Sequence, residues 1–186
     1  MTTFTISFHG PFHVGSGVPD RGLDRVLDRD ALLPGTSLKG VMRAAASETL
    51  GMSRPLVAAV FGSPSAHAGP AQRHGSPWAW SDADFSGFSL QRLARIRIDD
   101  RTRTTERGFL MLGETVWADT ATFTVTQANP APGNLGDHLL VLRAAARAVT
   151  SIGGGRSRGE GWVTITNEQP WSAQDTAHLR ALGGRQ

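Results

Sequence analysis

The chain has 186 residues, 39% hydrophobic and 19% charged, with a formal net charge of +3, which suits one domain with a real core and generous loops. It has no cysteine, which excludes disulfides, a thiolate zinc site and a cysteine nucleophile. No run approaches the roughly 18 apolar residues of a membrane span, so the expected location is cytoplasmic and no membrane partner is expected.

In chain order, Thr3 to Phe8 alternates, with Phe4, Ile6 and Phe8 on one face, and reads as an opening strand. Residues 9–35 are rich in Gly, Pro, Asp and Arg and form a long first loop, a kind of segment that is functional or disordered. Helix signals begin at Thr36 or Ser37, either of which can cap. Leu38, Val41, Met42 and Ala45 then share one face, and Lys39 and Arg43 another. Pro55 to Phe61 reads as a second helix closed by Gly62. Residues 62–77 read as a mobile insertion.

Trp78 to Trp80 and Arg95 to Ile98 read as short strands, and 99–107, without an apolar residue, as a projecting tip. Phe109 to Trp117 and Ala121 to Thr126 read as a strand pair. Asn134 caps a helix with Asp137 in its first turn and a core stripe of Leu135, Leu139, Leu142, Ala146 and Val149. A strand at Trp162 to Thr166 and a polar helix capped by Ser172 end the chain. Most of the five tryptophans are expected to be core or half-buried. This order predicts an α+β, ferredoxin-like domain with insertions.

Two segments couple glycine-freed amides to cations. One is Leu33-Pro34-Gly35-Thr36-Ser37-Leu38-Lys39-Gly40, running on to Arg43. The other is Ile152-Gly153-Gly154-Gly155-Arg156-Ser157-Arg158-Gly159-Glu160-Gly161. Such segments suit phosphates held without reading bases. Neither fits a nucleotide loop: the first lacks the Gly-Lys-Ser/Thr ending, and Arg158 breaks the G-x-G-x-x-G spacing. Plain tight turns are the competing reading, though two arginines inside one cluster favour an anionic ligand.

Of the 19 cations 18 are arginine, with Lys39 the one lysine. Six arginines lie between Arg92 and Arg107, a basic face that fits either solvent or nucleic acid. Asp20, Asp24, Asp28 and Asp30 in the first loop could bind a divalent cation or form salt bridges with Arg21, Arg25 and Arg29. The aromatic motif of an RNA-recognition domain is absent, so base stacking in that style is not expected.

These motifs resemble, in order and over nearly the whole chain, the RAMP superfamily of CRISPR-associated proteins, and within it the backbone subunit of type III effector complexes. Residues 33–40 with Arg43 resemble its I-P-G-S-S-L-K-G and following arginine. Val60-Phe61-Gly62 resembles its L-F-G, and Trp80-Ser81-Asp82-Ala83 its aspartate-containing strand. Arg97 to Thr102 and Gly108 to Glu114 resemble its I-D-R-x-T-G … E segment, with Arg103 in place of the glycine. Residues 152–161 resemble its C-terminal glycine signature.

The resemblance implies a single domain over 1–186 with an RRM-like core, the glycine-rich loop at 152–161 and a projecting thumb hairpin at about 95–112. It implies a subunit that stacks in a filament of copies along CRISPR RNA, beside other subunits including the large signalling one, and cuts the complementary target RNA at regular intervals with Mg²⁺ or another divalent cation. By the spacing of Asp24 and Asp30 it makes Asp24 the catalytic and metal-binding candidate, with Asp20 and Asp28 as alternatives. It implies RNA contacts from Ser37, Lys39, Arg43, Gly153, Gly154, Gly155, Arg156 and Arg158, and from Arg101 and Arg103 on the thumb. Two related readings remain: an inactive RNA scaffold, and a metal-independent enzyme that processes the precursor RNA with His13 as general acid/base.

Overall fold

The computed structural model describes residues 1–15, 24–63 and 75–183. Asp20, Arg21 and most of the 62–77 insertion lie outside them. The elements run β1 (Thr2–Phe8), α1 (Gly35–Ala44) continuing into a π-helical turn (Ala45–Thr49), α2 (Arg54–Phe61), β2 (Trp78–Trp80), β3 (Asp84–Phe85), β4 (Phe88–Ile98), β5 (Thr105–Ala118), β6 (Thr120–Gln127), α3 (Leu135–Ala148), β7 (Val163–Asn167) and α4 (Ala173–Gly183).

The main sheet has the order β2-β6-β1-β7, with β3 also on β6, and its pairings are antiparallel. Counting only β1, β2, β6 and β7, with α1 and α3 between them, this is the ferredoxin-like β-α-β-β-α-β arrangement. The alternation that marks β1 buries Phe4, Ile6 and Phe8 beneath the helices, beside Phe123, Val125 and Ile165. The opposite face is a field of hydroxyls from Thr5, Ser7, Thr122, Thr124, Thr164 and Thr166, paired across the strands. It carries no row of aromatics for bases, as expected from the missing motif.

The inserted hairpin is larger than the sequence suggests. β4 and β5 form their own two-stranded sheet, with Arg95 opposite Met111 and Ile96 opposite Leu110. The expected pair of Phe109–Trp117 with Ala121–Thr126 does not form: the first run pairs with β4, and the second with β1 and β2. A single residue, Asp119, separates β5 from β6, too little for a hairpin turn between them.

The hairpin arm is solvated on both faces. Ile96, Ile98 and Leu110 are each more than half exposed, so no buried face sustains a period-2 pattern along the whole of β4. At the tip Asp99 Oδ1 accepts from the amides of Arg101 and Thr102 at 2.8 Å, which holds its carboxyl below the usual range. Arg103 adopts φ 56°, the left-handed conformation that the family's glycine would take without strain. Arg103→Gly is therefore expected to stabilise the tip by about 1 kcal/mol, seen as roughly fivefold slower amide exchange at Ile98 and Thr105.

One further expectation is corrected, and two hold in part. Helix α1 starts at Gly35 without a side-chain cap from its own residues; Asp82 supplies the cap instead, its Oδ1 accepting from Gly35 N at 2.7 Å. The core stripe of α3 holds at Leu142, Ala146 and Val149, which are buried, but Leu135 is exposed and the buried face widens to Val141 and Ala145. Trp78 is buried and Trp80 and Trp171 are half-buried, as expected of most tryptophans, while Trp117 and Trp162 are exposed at 43% and 58%. Asn134 and Ser172 do cap α3 and α4, through Gly136 N and Asp175 N.

Candidate nucleic-acid interface

The glycine segment 152–161 connects α3 to β7. Four of its glycines, 153, 155, 159 and 161, have φ between 68° and 82°. They fold the chain into a single 3₁₀ turn, Arg156–Arg158, bounded on both sides by left-handed glycine. Both arginine side chains are thereby left exposed, with Arg156 Nε donating back to Gly153 O at 3.0 Å. The loop is fastened to the start of the first loop: Gly154 N donates to His13 O, and Gly161 N to Pro11 O.

The first loop is held down by its apolar residues. Phe12 and Leu27 are buried, and Phe12 stacks between Phe8 and Phe85. Beyond Leu27's neighbours the loop lies along the free edge of β5: Asp24 N donates to Leu112 O, and Glu114 N to Arg25 O. Asp24 is tied twice, because its Oδ2 also accepts from Leu112 N at 2.9 Å. Its other carboxylate oxygen has no protein partner among the described residues, and the residue is exposed. Asp28 instead closes a local turn through the amides of Asp30 and Ala31, and Asp30 is exposed.

Two hollows meet here. One, of about 740 Å³, lies against the hairpin and is lined by Asp24, Arg95, Met111 and Arg158 among others. The second, of about 600 Å³, shares Arg95, Met111 and Arg158 with it and continues along the glycine loop to Ser37, Gly40 and Val41 on α1. Together they form a trough bordered by Arg25, Arg95, Arg156 and Arg158. Ser37, Gly153, Gly154, Gly155, Arg156 and Arg158 therefore converge, and Asp24 stands at one end.

Lys39 and Arg43 do not join them. They lie on the face of α1 turned away from Ser37 and Val41. Lys39 Nζ sits 5.5 Å from the centre of the Trp80 ring, and burial, then the neighbouring Arg43, lowers its pKa. Arg101 and Arg103 sit at the hairpin tip. His13 is buried, its ring Nδ1–H donating to Glu114 O at 2.8 Å. Burial lowers its pKa, assisted by Arg25 and opposed by Glu114 and Glu160, so the ring is neutral near pH 7.

Sequence reasoning missed Arg95 and Glu160. Glu160 Oε2 accepts from Arg25 Nη2 at 3.1 Å, and Oε1 pairs with Arg95 Nη2. The one available signal was an acidic residue set between two glycines in a loop otherwise rich in arginine.

The fold and trough define the class: a ferredoxin-like α+β protein with an arginine- and glycine-lined trough beneath a projecting hairpin. Residues 5–164 match the family model of the RAMP superfamily, and the chain belongs to that superfamily. No curated protein matches it in sequence. Among solved structures, it is similar to a chain of the type III-B Cmr-beta complex in the apo state, determined by cryo-EM, with TM-score 0.69, 16% identity, and coverage of 90% of this chain and 97% of that one. A chain of the same complex bound to cognate target RNA gives TM-score 0.69 and 15% identity, covering 89% and 96%.

Proposed function

We propose that this protein is a CRISPR RNA-binding backbone subunit of a type III effector complex, and that it cleaves guide-bound target RNA at regular intervals in a metal-dependent reaction. The observation that carries the reading is the continuity of the trough: one exposed carboxylate, Asp24, at the end of a path lined by Arg158, Arg156 and the glycine loop. A cationic path with a single acidic residue suits a backbone polyanion and a hydrolytic centre on it. The partners are CRISPR RNA, its complementary target, further copies of this chain in a filament, and the other subunits of the complex, the large signalling subunit included. One similar structure is of a complex bound to cognate target RNA, which agrees with this ligand class.

The residues fit a hydrated divalent cation in a limited way. No group of three or more His, Asp or Glu side chains gathers among the described residues, so Asp24 offers one carboxylate oxygen and the RNA phosphates would supply the remaining anionic ligands. Mg²⁺ is commonly bound by one or two carboxylates plus substrate phosphates. Bound there, it would neutralise charge developing on the scissile phosphate.

The test is a complex reconstituted on a guide RNA and given labelled complementary target. Cut products at a constant spacing, lost with a chelator, are expected; target bound but uncut in Mg²⁺ would leave only the scaffold reading. Binding has its own expectation. Arg156→Ala and Arg158→Ala should each weaken affinity for every single-stranded RNA alike and flatten the dependence on log salt by about 0.7 per lost phosphate contact. Titration of two unrelated sequences at several salt concentrations checks it, and a loss confined to one sequence would contradict it.

A further inference from the structure

Glu160 is buried at 3% exposure, and a carboxylate withdrawn from water must be compensated. Its compensation comes from far along the chain: Arg25, 135 residues away in the first loop, and Arg95, 65 residues away on β4. The glycine loop is shaped to receive it. A Cβ on Gly155 would fall on Glu160 Oε2, and Glu160 N donates to Gly155 O at 3.3 Å.

Arg95 lines both hollows. Its Nη1 is buried without a partner, and among the described residues Glu160 is the one hydrogen-bond anchor of its guanidinium. The hairpin's polar ties to the body run along β5, through Phe12, His13, Asp24, Arg25 and Arg29. From β4 there is one among the described residues, the Arg95–Glu160 pair. A buried ionic contact of this kind fixes register and orientation more than it adds stability.

We propose that Glu160 is a positioning residue. It locks the first loop and the hairpin arm onto the glycine loop and so sets the width of the trough in which RNA lies. The inference rests on the RNA-binding reading above for its consequence, not for its geometry.

The absence of native cysteine allows clean double labelling. Spin labels at Arg107→Cys on β5 and Thr164→Cys on β7 should report one narrow hairpin-to-body distance in an otherwise wild-type background. Glu160→Gln, which keeps the shape and removes the charge, should broaden that distribution with the main sheet intact by circular dichroism. It should also weaken single-stranded RNA binding about tenfold. Arg95→Gln should also broaden the distance distribution, and adding it to Glu160→Gln should broaden it little further, because both remove the Arg95–Glu160 contact.

An unchanged distance distribution in a folded Glu160→Gln protein overturns the proposal, as does a broadened one with undiminished RNA affinity. Should Glu160→Gln fail to fold, Arg95→Gln decides by the distance distribution alone, because it leaves Glu160 paired with Arg25 but itself removes a cation from the trough. Should the unsubstituted labelled protein bind no RNA, the proposed function fails, and the distance distribution alone decides whether Glu160 locks the hairpin.

Discussion

Asp24→Asn should lower target-RNA cleavage by roughly 10²–10⁴-fold and leave RNA binding unchanged. Asparagine is the informative replacement. It retains an oxygen that can accept from Leu112 N, so the two-point attachment of residue 24 to β5 survives, and only the charge and basicity are removed. Alanine would also release the first loop from the hairpin and mix a positioning defect with a chemical one. The chemistry asked of a single carboxylate is modest, because RNA carries its own nucleophile. Attack of the 2′-oxygen on the adjacent phosphorus forms one P–O bond and breaks the bond to the 5′-oxygen. The expected products are a 2′,3′-cyclic phosphate and a 5′-hydroxyl. Asp24 would either hold the hydrated cation or take the proton leaving the 2′-hydroxyl, and the departing 5′-oxygen takes a proton from water. A time course on end-labelled target with the complex saturated by guide measures the effect; cleavage at the wild-type rate by Asp24→Asn would remove Asp24 from the reaction and return attention to Asp28.

The parts of this molecule that were legible in its sequence are those written in local periodicity or local turn chemistry. The alternation of Phe4, Ile6 and Phe8, the caps at Asn134 and Ser172, and the glycines around Arg156 and Arg158 each act within a few residues of themselves. What was not legible depends on distant pairing. β4 has no buried face through much of its length, so the alternation of Phe88 to Gln91 breaks off at Arg92 to Ala94, and the apolar run of β5 fits a partner on either side. Asp82 caps α1 from 47 residues away. The same holds in the trough. The loop's arginines announce themselves, but Glu160 meets Arg25 and Arg95 only after folding. The face of α1 that meets the trough follows from how Leu38 and Met42 bury, and that burial turns Lys39 and Arg43 aside.

Gly161→Ala should destabilise the protein by roughly 3 kcal/mol or more, which for a chain of this size lowers the melting temperature by roughly 6–12 °C. Two costs combine at this position. Its φ of 77° is left-handed, a conformation that costs a residue with a Cβ about 1–2 kcal/mol. The added Cβ would also fall on the carbonyl oxygen of Ile152, backbone that cannot rotate away. Relief requires moving the strand-like contact in which Ile152 N donates to Gly161 O at 2.8 Å, or the bond from Gly161 N to Pro11 O at 2.8 Å. The first closes the base of the glycine loop and the second ties it to the first loop, so the trough should widen and RNA affinity fall with stability. Gly159→Ala is the internal control. Its φ is 82°, but a Cβ there meets nothing within 4 Å, so only the conformational cost of about 1–2 kcal/mol applies. Thermal melts of the two variants side by side separate the contributions: the difference between them is the steric clash at the loop's base. Equal melting temperatures would mean that the loop closes without the close approach of Gly161 to Ile152, and that the glycine is needed there for its dihedral angles alone.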